Sequence, residues 1–144
     1  MKRILFVCTG NTCRSPMAQA LMEKEIKQRN QENNICCDSA GIAADEGCPS
    51  SENAVAVMAE YGCDISKRKA KQLTLSMISE ADEIYTMTES HKGIIEAMSQ
   101  DAKGKVFVLS PPVSDPFGGS IEEYRKCAWI IENAIKEIIV RNEK

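Results

Sequence analysis

The chain has 144 residues, 43% hydrophobic and 27% charged, with 18 Lys and Arg against 21 Asp and Glu for a net charge of −3. That is apolar material for one domain with a real core, and the acidic balance argues against nucleic acid as a partner. Seven cysteines at irregular spacing, no membrane-length apolar run and no signal-peptide pattern read as a cytoplasmic protein with reduced thiols and no membrane partner; a monomer is the expected state.

In chain order, Ile4-Leu5-Phe6-Val7 is a wholly apolar run that reads as a strand buried on both faces. The loop Cys8 to Arg14 follows, and a helix is expected from about Pro16 to Arg29, with Ser15 as its cap and Pro16 in its first position. Ile35 to Gly41 reads as a second strand ending in a tight turn. Ala54, Val57, Met58 and Tyr61 mark a second helix closed by Gly62. The run Ser66 to Lys71 is the one basic stretch, by default a solvated face and otherwise an attractor for anionic substrate. Thr74 caps a short helix, Glu83 to Met87 reads as the third strand, and Thr88 caps a helix through about Ser99. Lys105 to Leu109 is the fourth strand, and Ser120 to Arg141 is a final amphipathic helix beside which Trp129 is expected to pack. Strands alternating with helices predict an α/β fold. It is a single domain with a four-stranded parallel sheet flanked by helices on both faces, and a phosphate-binding loop after strand 1.

The loop carries the chemistry. Cys8, five residues and then Arg14-Ser15 form a phosphate trap with a nucleophile at its floor. The backbone amides of residues 9 to 14 can converge on one point near a helix N-terminus, and Gly10 and Asn11 supply the irregular conformations this requires. The same donors stabilise a thiolate and the equatorial oxygens of a transferring phosphoryl group. Arg14 offers a bidentate fork, and Ser15 a hydroxyl that can help the thiolate leave. A buried cysteine after a strand is usually packing, but the strand, Gly-Asn, Ser-Pro and helix together favour the trap. No Cys-x2-Cys pair exists and the only histidine, His91, lies far along the chain, so no metal is expected and no organic cofactor is required. His91 is expected to face solvent near a helix start.

Cys8-Thr9-Gly10-Asn11-Thr12-Cys13-Arg14-Ser15 resembles the low-molecular-weight protein tyrosine phosphatase family, and Thr12 resembles its bacterial protein arginine phosphatase branch. The resemblance spans the chain. It implies phosphorylated proteins as substrates, a phosphocysteine intermediate, and substrate binding by Thr9, Gly10, Asn11, Thr12, Cys13, Arg14 and Ser15. Ser39, at a strand end, can reach Asn11, and the family uses Ser-Ala-Gly there to brace the loop. Members often carry a histidine near the position of Arg68, so this chain departs from them in what supports Asn11.

Asp115 lies in the turn-rich segment Ser110 to Ser120, at the same sheet edge as Cys8. Alone, Asp-Pro is only a turn. Combined with the loop and topology it reads as the proton donor for the leaving group, with Pro116 restricting Asp115 to an extended backbone. The family uses this aspartate as acid and then as base against the phosphocysteine.

The leaving group turns on three stretches. Tyrosine phosphatases of the family usually place a bulky aliphatic residue where Thr12 stands, and a second aromatic where Gly118 stands. They often carry a tryptophan within residues 42 to 46, here Ile-Ala-Ala-Asp-Glu. A missing wall to the aromatic slot and the Thr12 hydroxyl favour phosphoarginine, with phosphotyrosine as the alternative. An arsenate reductase is disfavoured because no cysteine lies between Asp64 and Lys126. A phosphate-binding module without catalysis remains the non-enzyme reading. Cys13 is either a redox partner that traps oxidised Cys8 as a disulfide or a buried small hydrophobe.

Overall fold

The computed structural model describes residues Met1 to Glu143. The alternation expected from the sequence is present: β1 (Lys2–Cys8), α1 (Arg14–Gln28), β2 (Ile35–Gly41), α2 (Glu52–Glu60) and α3 (Leu75–Glu80) come first. They are followed by β3 (Glu83–Thr86), α4 (Glu89–Met98), β4 (Val106–Val108) and α5 (Ile121–Asn142). All pairings are parallel and the order is β2-β1-β3-β4.

β1 is an inner strand, and every residue from Ile4 to Cys8 is buried. The pleat sends Ile4 and Phe6 to one face, where Met17, Leu21 and Met22 of α1, Val57 of α2 and Ile131 and Ile135 of α5 meet them. Leu5 and Val7 go to the other face, onto Ile78 of α3 and Ile95 of α4. An apolar run without alternation is therefore what a parallel strand covered on both sides requires.

Helix ends follow their side chains. Thr74, Thr88 and Ser120 each accept a hydrogen bond from the backbone N–H three residues on, those of Met77, His91 and Glu123. Gly62, at φ +79°, ends α2 with the paired bonds Cys63 N to Met58 O and Gly62 N to Ala59 O, the Schellman arrangement.

Four expectations need correction. α1 starts at Arg14, with Cys13 as the residue before its first turn, so Ser15 does not cap it. Its hydroxyl is committed to Cys8 and Asn11 instead, and Pro16 still falls within the first turn, where its missing N–H costs nothing. Trp129 is 62% exposed, because Tyr124, Ala128, Ile131 and Ile135 already fill the inward stripe of α5 and residue 129 projects away from it. His91 does lie near a helix start but is buried, since the first turn of α4 faces the Cys8 loop. The basic run divides: Lys67 and Lys69 are solvated, while Arg68 is half-buried under the loop and Lys71 pairs with Asp38.

Candidate active site

Cys8 ends β1 opposite Gly41 of β2, and the chain then wraps back to start α1 six residues later. Asn11 holds the wrap in place with a left-handed backbone, φ 57°, a conformation asparagine tolerates better than most residues. The loop is also stitched to the segment after β2, where Ile42 N donates to Cys8 O and Ala43 N to Thr9 O, each at 2.9 Å. Ser51 N donates to Thr12 O at 3.0 Å from the start of α2.

The Cys8 sulfur is buried and accepts from the Asn11 backbone N–H at 3.3 Å. Ser15 Oγ lies 2.8 Å from it. Asn11 Nδ2 donates to Ser15 Oγ at 2.7 Å, which leaves the Ser15 hydroxyl proton for the sulfur at 2.8 Å in preference to Ala40 O at 3.5 Å. Ser15 is thus a relay: the amide orients the hydroxyl, and the hydroxyl stabilises negative charge on sulfur.

Asn11 is fully buried and every polar atom of its amide is used. Nδ2 also donates to Ser39 Oγ at 3.1 Å, while Oδ1 accepts from the Lys71 backbone N–H at 2.9 Å and from Arg68 Nη1 at 3.2 Å. Arg68 also holds Ser39 Oγ and, at 3.0 Å, Gln19 Oε1. Burial pushes the Arg68 guanidinium below its ordinary value, opposed by the negative charge of Asp38 and Cys8. At neutral pH it remains a fixed cation beneath the loop.

On the open side, Arg14 is 4% exposed although charged. Nη1 donates to Val113 O at 2.8 Å, which aims the guanidinium, and Nη2 lies 3.8 Å from Asp115 Oδ2 and 3.5 Å from Thr9 Oγ1. Asp115 Oδ1 accepts from the Phe117 backbone N–H at 3.0 Å, so its second oxygen faces the cleft. The cleft is about 190 Å³, with Cys8 at its floor, Thr9, Thr12 and Arg14 along its walls, and Asp115 with the exposed Phe117 at its rim. No residue from 42 to 46 lines it, and Gly118, at φ +80°, follows Phe117 without a side chain. A larger cleft, about 270 Å³, opens elsewhere on the sheet between Arg3, Cys36 and Met77 and holds none of these residues.

Cys13 also lines this cleft, between Thr12 and Arg14. Its sulfur lies 3.3 Å from both Ser51 Oγ and Tyr124 Oη. Burial, and then the Cys13 hydrogen bond, push the Tyr124 phenol up to about 12. Arg68, at the position where the family resemblance expects a histidine, takes over the support of Asn11, while two participants escaped the reading of the sequence: Gly41, whose small size admits the loop, and His91, whose Nε2 lies 2.9 Å from Thr9 Oγ1. Only His91 carried a signal, as the single histidine between a capping Thr and a buried isoleucine.

The class this fold and site define is that of the cysteine-dependent phosphatases, in which a strand-terminal thiolate receives the phosphoryl group. The chain belongs to the low molecular weight phosphotyrosine protein phosphatase family, whose pattern matches residues 3–144. It is 41% identical over 143 residues to a protein-arginine-phosphatase of Geobacillus stearothermophilus, covering 94% of this chain and 93% of that one. It is 36% identical over 145 residues to a probable low molecular weight protein-tyrosine-phosphatase, EpsP, of Ralstonia nicotianae, covering 98% and 96%. A solved YwlE arginine phosphatase mutant, with a phosphorylated serine in its active site, superposes with a TM-score of 0.89 at 34% identity, covering 96% and 94%.

Proposed function

We propose that this protein is a protein arginine phosphatase that works through a phosphocysteine at Cys8. The observation that carries the choice is Thr12: a small hydroxylated side chain, not a bulky apolar one, lines the same 190 Å³ cleft as Cys8, across from Asp115 and Phe117. A hydroxyl there can accept from a guanidinium or position water, and Asp115 presents an acceptor to the same cationic group. Phosphotyrosine is the alternative, favoured by Phe117, which stands at the rim as one wall of an aromatic slot.

The Cys8 thiolate attacks phosphorus, and the guanidino nitrogen departs as Asp115 delivers its proton. Arg14 and the loop amides hold the equatorial oxygens. Asp115, now a carboxylate, takes a proton from water as it attacks the phosphocysteine; inorganic phosphate leaves and the Ser15 hydroxyl stabilises the returning thiolate. Serine phosphorylated in the related YwlE mutant supports transfer to this position. Phosphorylated proteins are the substrates, the protein acts as a monomer, and the setting is cytoplasmic, which irregular, unpaired cysteines support. Redox control belongs to the same reading: peroxide converts the Cys8 thiolate to a sulfenic acid, and Cys13 displaces water from it to close a reversible disulfide.

The test is kcat/KM on phosphoarginine and phosphotyrosine peptides for the wild type and Thr12→Ile. Phosphoarginine is expected to be preferred, with a selective loss in Thr12→Ile; faster wild-type hydrolysis of phosphotyrosine overturns the assignment. Cys8→Ser separates enzyme from binding module, because it should abolish phosphate release while retaining substrate.

A further inference from the structure

His91 is the one histidine of the chain, 5% exposed and in the first turn of α4. Its Nε2 meets Thr9 Oγ1 at 2.9 Å, and that same oxygen lies 3.5 Å from Arg14 Nη2. Its Nδ1 is buried and has no hydrogen-bond partner among the described residues. Burial, and then the charge of Arg14, hold the imidazole below its ordinary 6.5, against an opposing pull from Asp115. The ring is therefore neutral at neutral pH and carries one proton.

Two placements of that proton differ in what they strand. On Nδ1 it would be a buried donor without an acceptor, the rarer kind of orphan in folded proteins. On Nε2 it is donated to Thr9, and only a lone pair goes unused. Thr9 Oγ1 then accepts from both the imidazole and Arg14, so both of its lone pairs are occupied. Its own hydrogen has one direction left, into the cleft that Thr9 lines beside Cys8.

We infer that His91 is a positioning residue, which donates Nε2–H to Thr9 Oγ1 and so turns the Thr9 hydroxyl proton onto a phosphoryl oxygen held by the loop. The inference rests on the phosphoryl-binding reading above and adds to it a donor that no backbone amide supplies. Neutrality serves the purpose. A neutral ring orients Thr9 without drawing Asp115 into an ion pair, which leaves that carboxyl to the leaving group.

With a single histidine, the ring nitrogens give one unambiguous set of long-range 1H–15N NMR correlations in the unmodified protein. At neutral pH the proton is expected on Nε2, with Nδ1 bare, and the Nε2 resonance is expected to move on adding inorganic vanadate, an oxyanion that mimics the transferring group. A proton on Nδ1, or rapid averaging between tautomers, overturns the inference, as does a resonance that vanadate leaves in place while it inhibits the enzyme. A double-mutant cycle on p-nitrophenyl phosphate is the second arm. His91→Phe, which keeps an aromatic ring, should lower kcat/KM about fivefold in the wild-type background and less than about twofold in Thr9→Val. Equal losses in both backgrounds overturn it. The tautomer is read without any substrate, so a wild type inert towards phosphopeptides would refute the phosphatase reading while the spectrum still decides the hydrogen bond.

Discussion

Gly41 sits where two backbones meet. A Cβ placed there would stand 2.6 Å from Thr9 O, 2.9 Å from Asn11 N and 3.0 Å from Gly10 C. All three are backbone atoms of the Cys8 loop, so no side chain can swing aside to make room. Comfortable contact begins at about 3.5 Å, so relief requires the loop or the end of β2 to move by roughly 0.5–1 Å. A shift of that size across atoms that must surround a phosphoryl group costs up to about 100-fold in rate. Overpacking should remove only about 1–3 kcal/mol of stability, which lowers Tm by about 3–10 °C. Gly41→Ala is therefore expected to fold, to keep its circular dichroism spectrum, and to hydrolyse p-nitrophenyl phosphate with kcat reduced about 10- to 100-fold. Wild-type kcat in a folded Gly41→Ala protein would refute the claim that loop geometry depends on the missing side chain.

Other outcomes follow from the same geometry. Arg68→Met strips Asn11 Oδ1, Ser39 Oγ and Gln19 Oε1 of a shared donor, so thermal denaturation should show a loss of about 2 kcal/mol and kinetics about a tenfold lower kcat. Arg68→Lys should not restore either, because one ammonium cannot replace the fork. Asp115→Asn should cost about 10²–10⁴ in kcat by steady-state assay. Its Tm should stay within about 2 °C, since the carboxylate is half exposed and its 3.8 Å pairing with Arg14 is partly solvated. His91 binds its proton less readily when folded than when unfolded, so the unfolded chain takes up protons first as pH falls below about 6.5. Tm should therefore drop between neutral pH and about pH 5.5, and that part of the slope should vanish in His91→Phe, as a scanning calorimeter can determine.

Much of the fold could be read because its signals are local. β1 announces itself as an apolar run without alternation, α5 as a stripe, and Thr74 and Thr88 as caps whose hydroxyls do accept the expected N–H. The loop stands out because Cys8, Asn11, Arg14 and Ser15 lie within eight residues, and the structure sets Asn11 N and Ser15 Oγ against the Cys8 sulfur with Arg14 along the same cleft. What lay beyond reading depends on approach between distant segments. By charge pattern Arg68 is one more cation in Lys67-Arg68-Lys69; only the family resemblance marks its position, and folding sets it beneath Asn11. His91 looked solvent-facing because helix starts usually are, and only the packing of α4 against the loop buries it. Trp129 misled in the opposite sense, since large aromatic residues are expected inside, yet a helix has one inward stripe and smaller residues occupy it.

The Cys8 sulfur is synthesised almost first and acquires its surroundings late. Asn11, which bonds it directly, is in turn held by Ser39, Arg68 and the Lys71 amide, at separations of 28, 57 and 60 residues, and Arg14 is aimed by Val113, 99 residues further on. A chain emerging from the ribosome therefore completes the surroundings of Cys8 only when the last third arrives. Asn11 and Ser15, which touch the sulfur, are made with it, and what comes last is Val113, which aims Arg14, and Asp115 at the rim of the cleft.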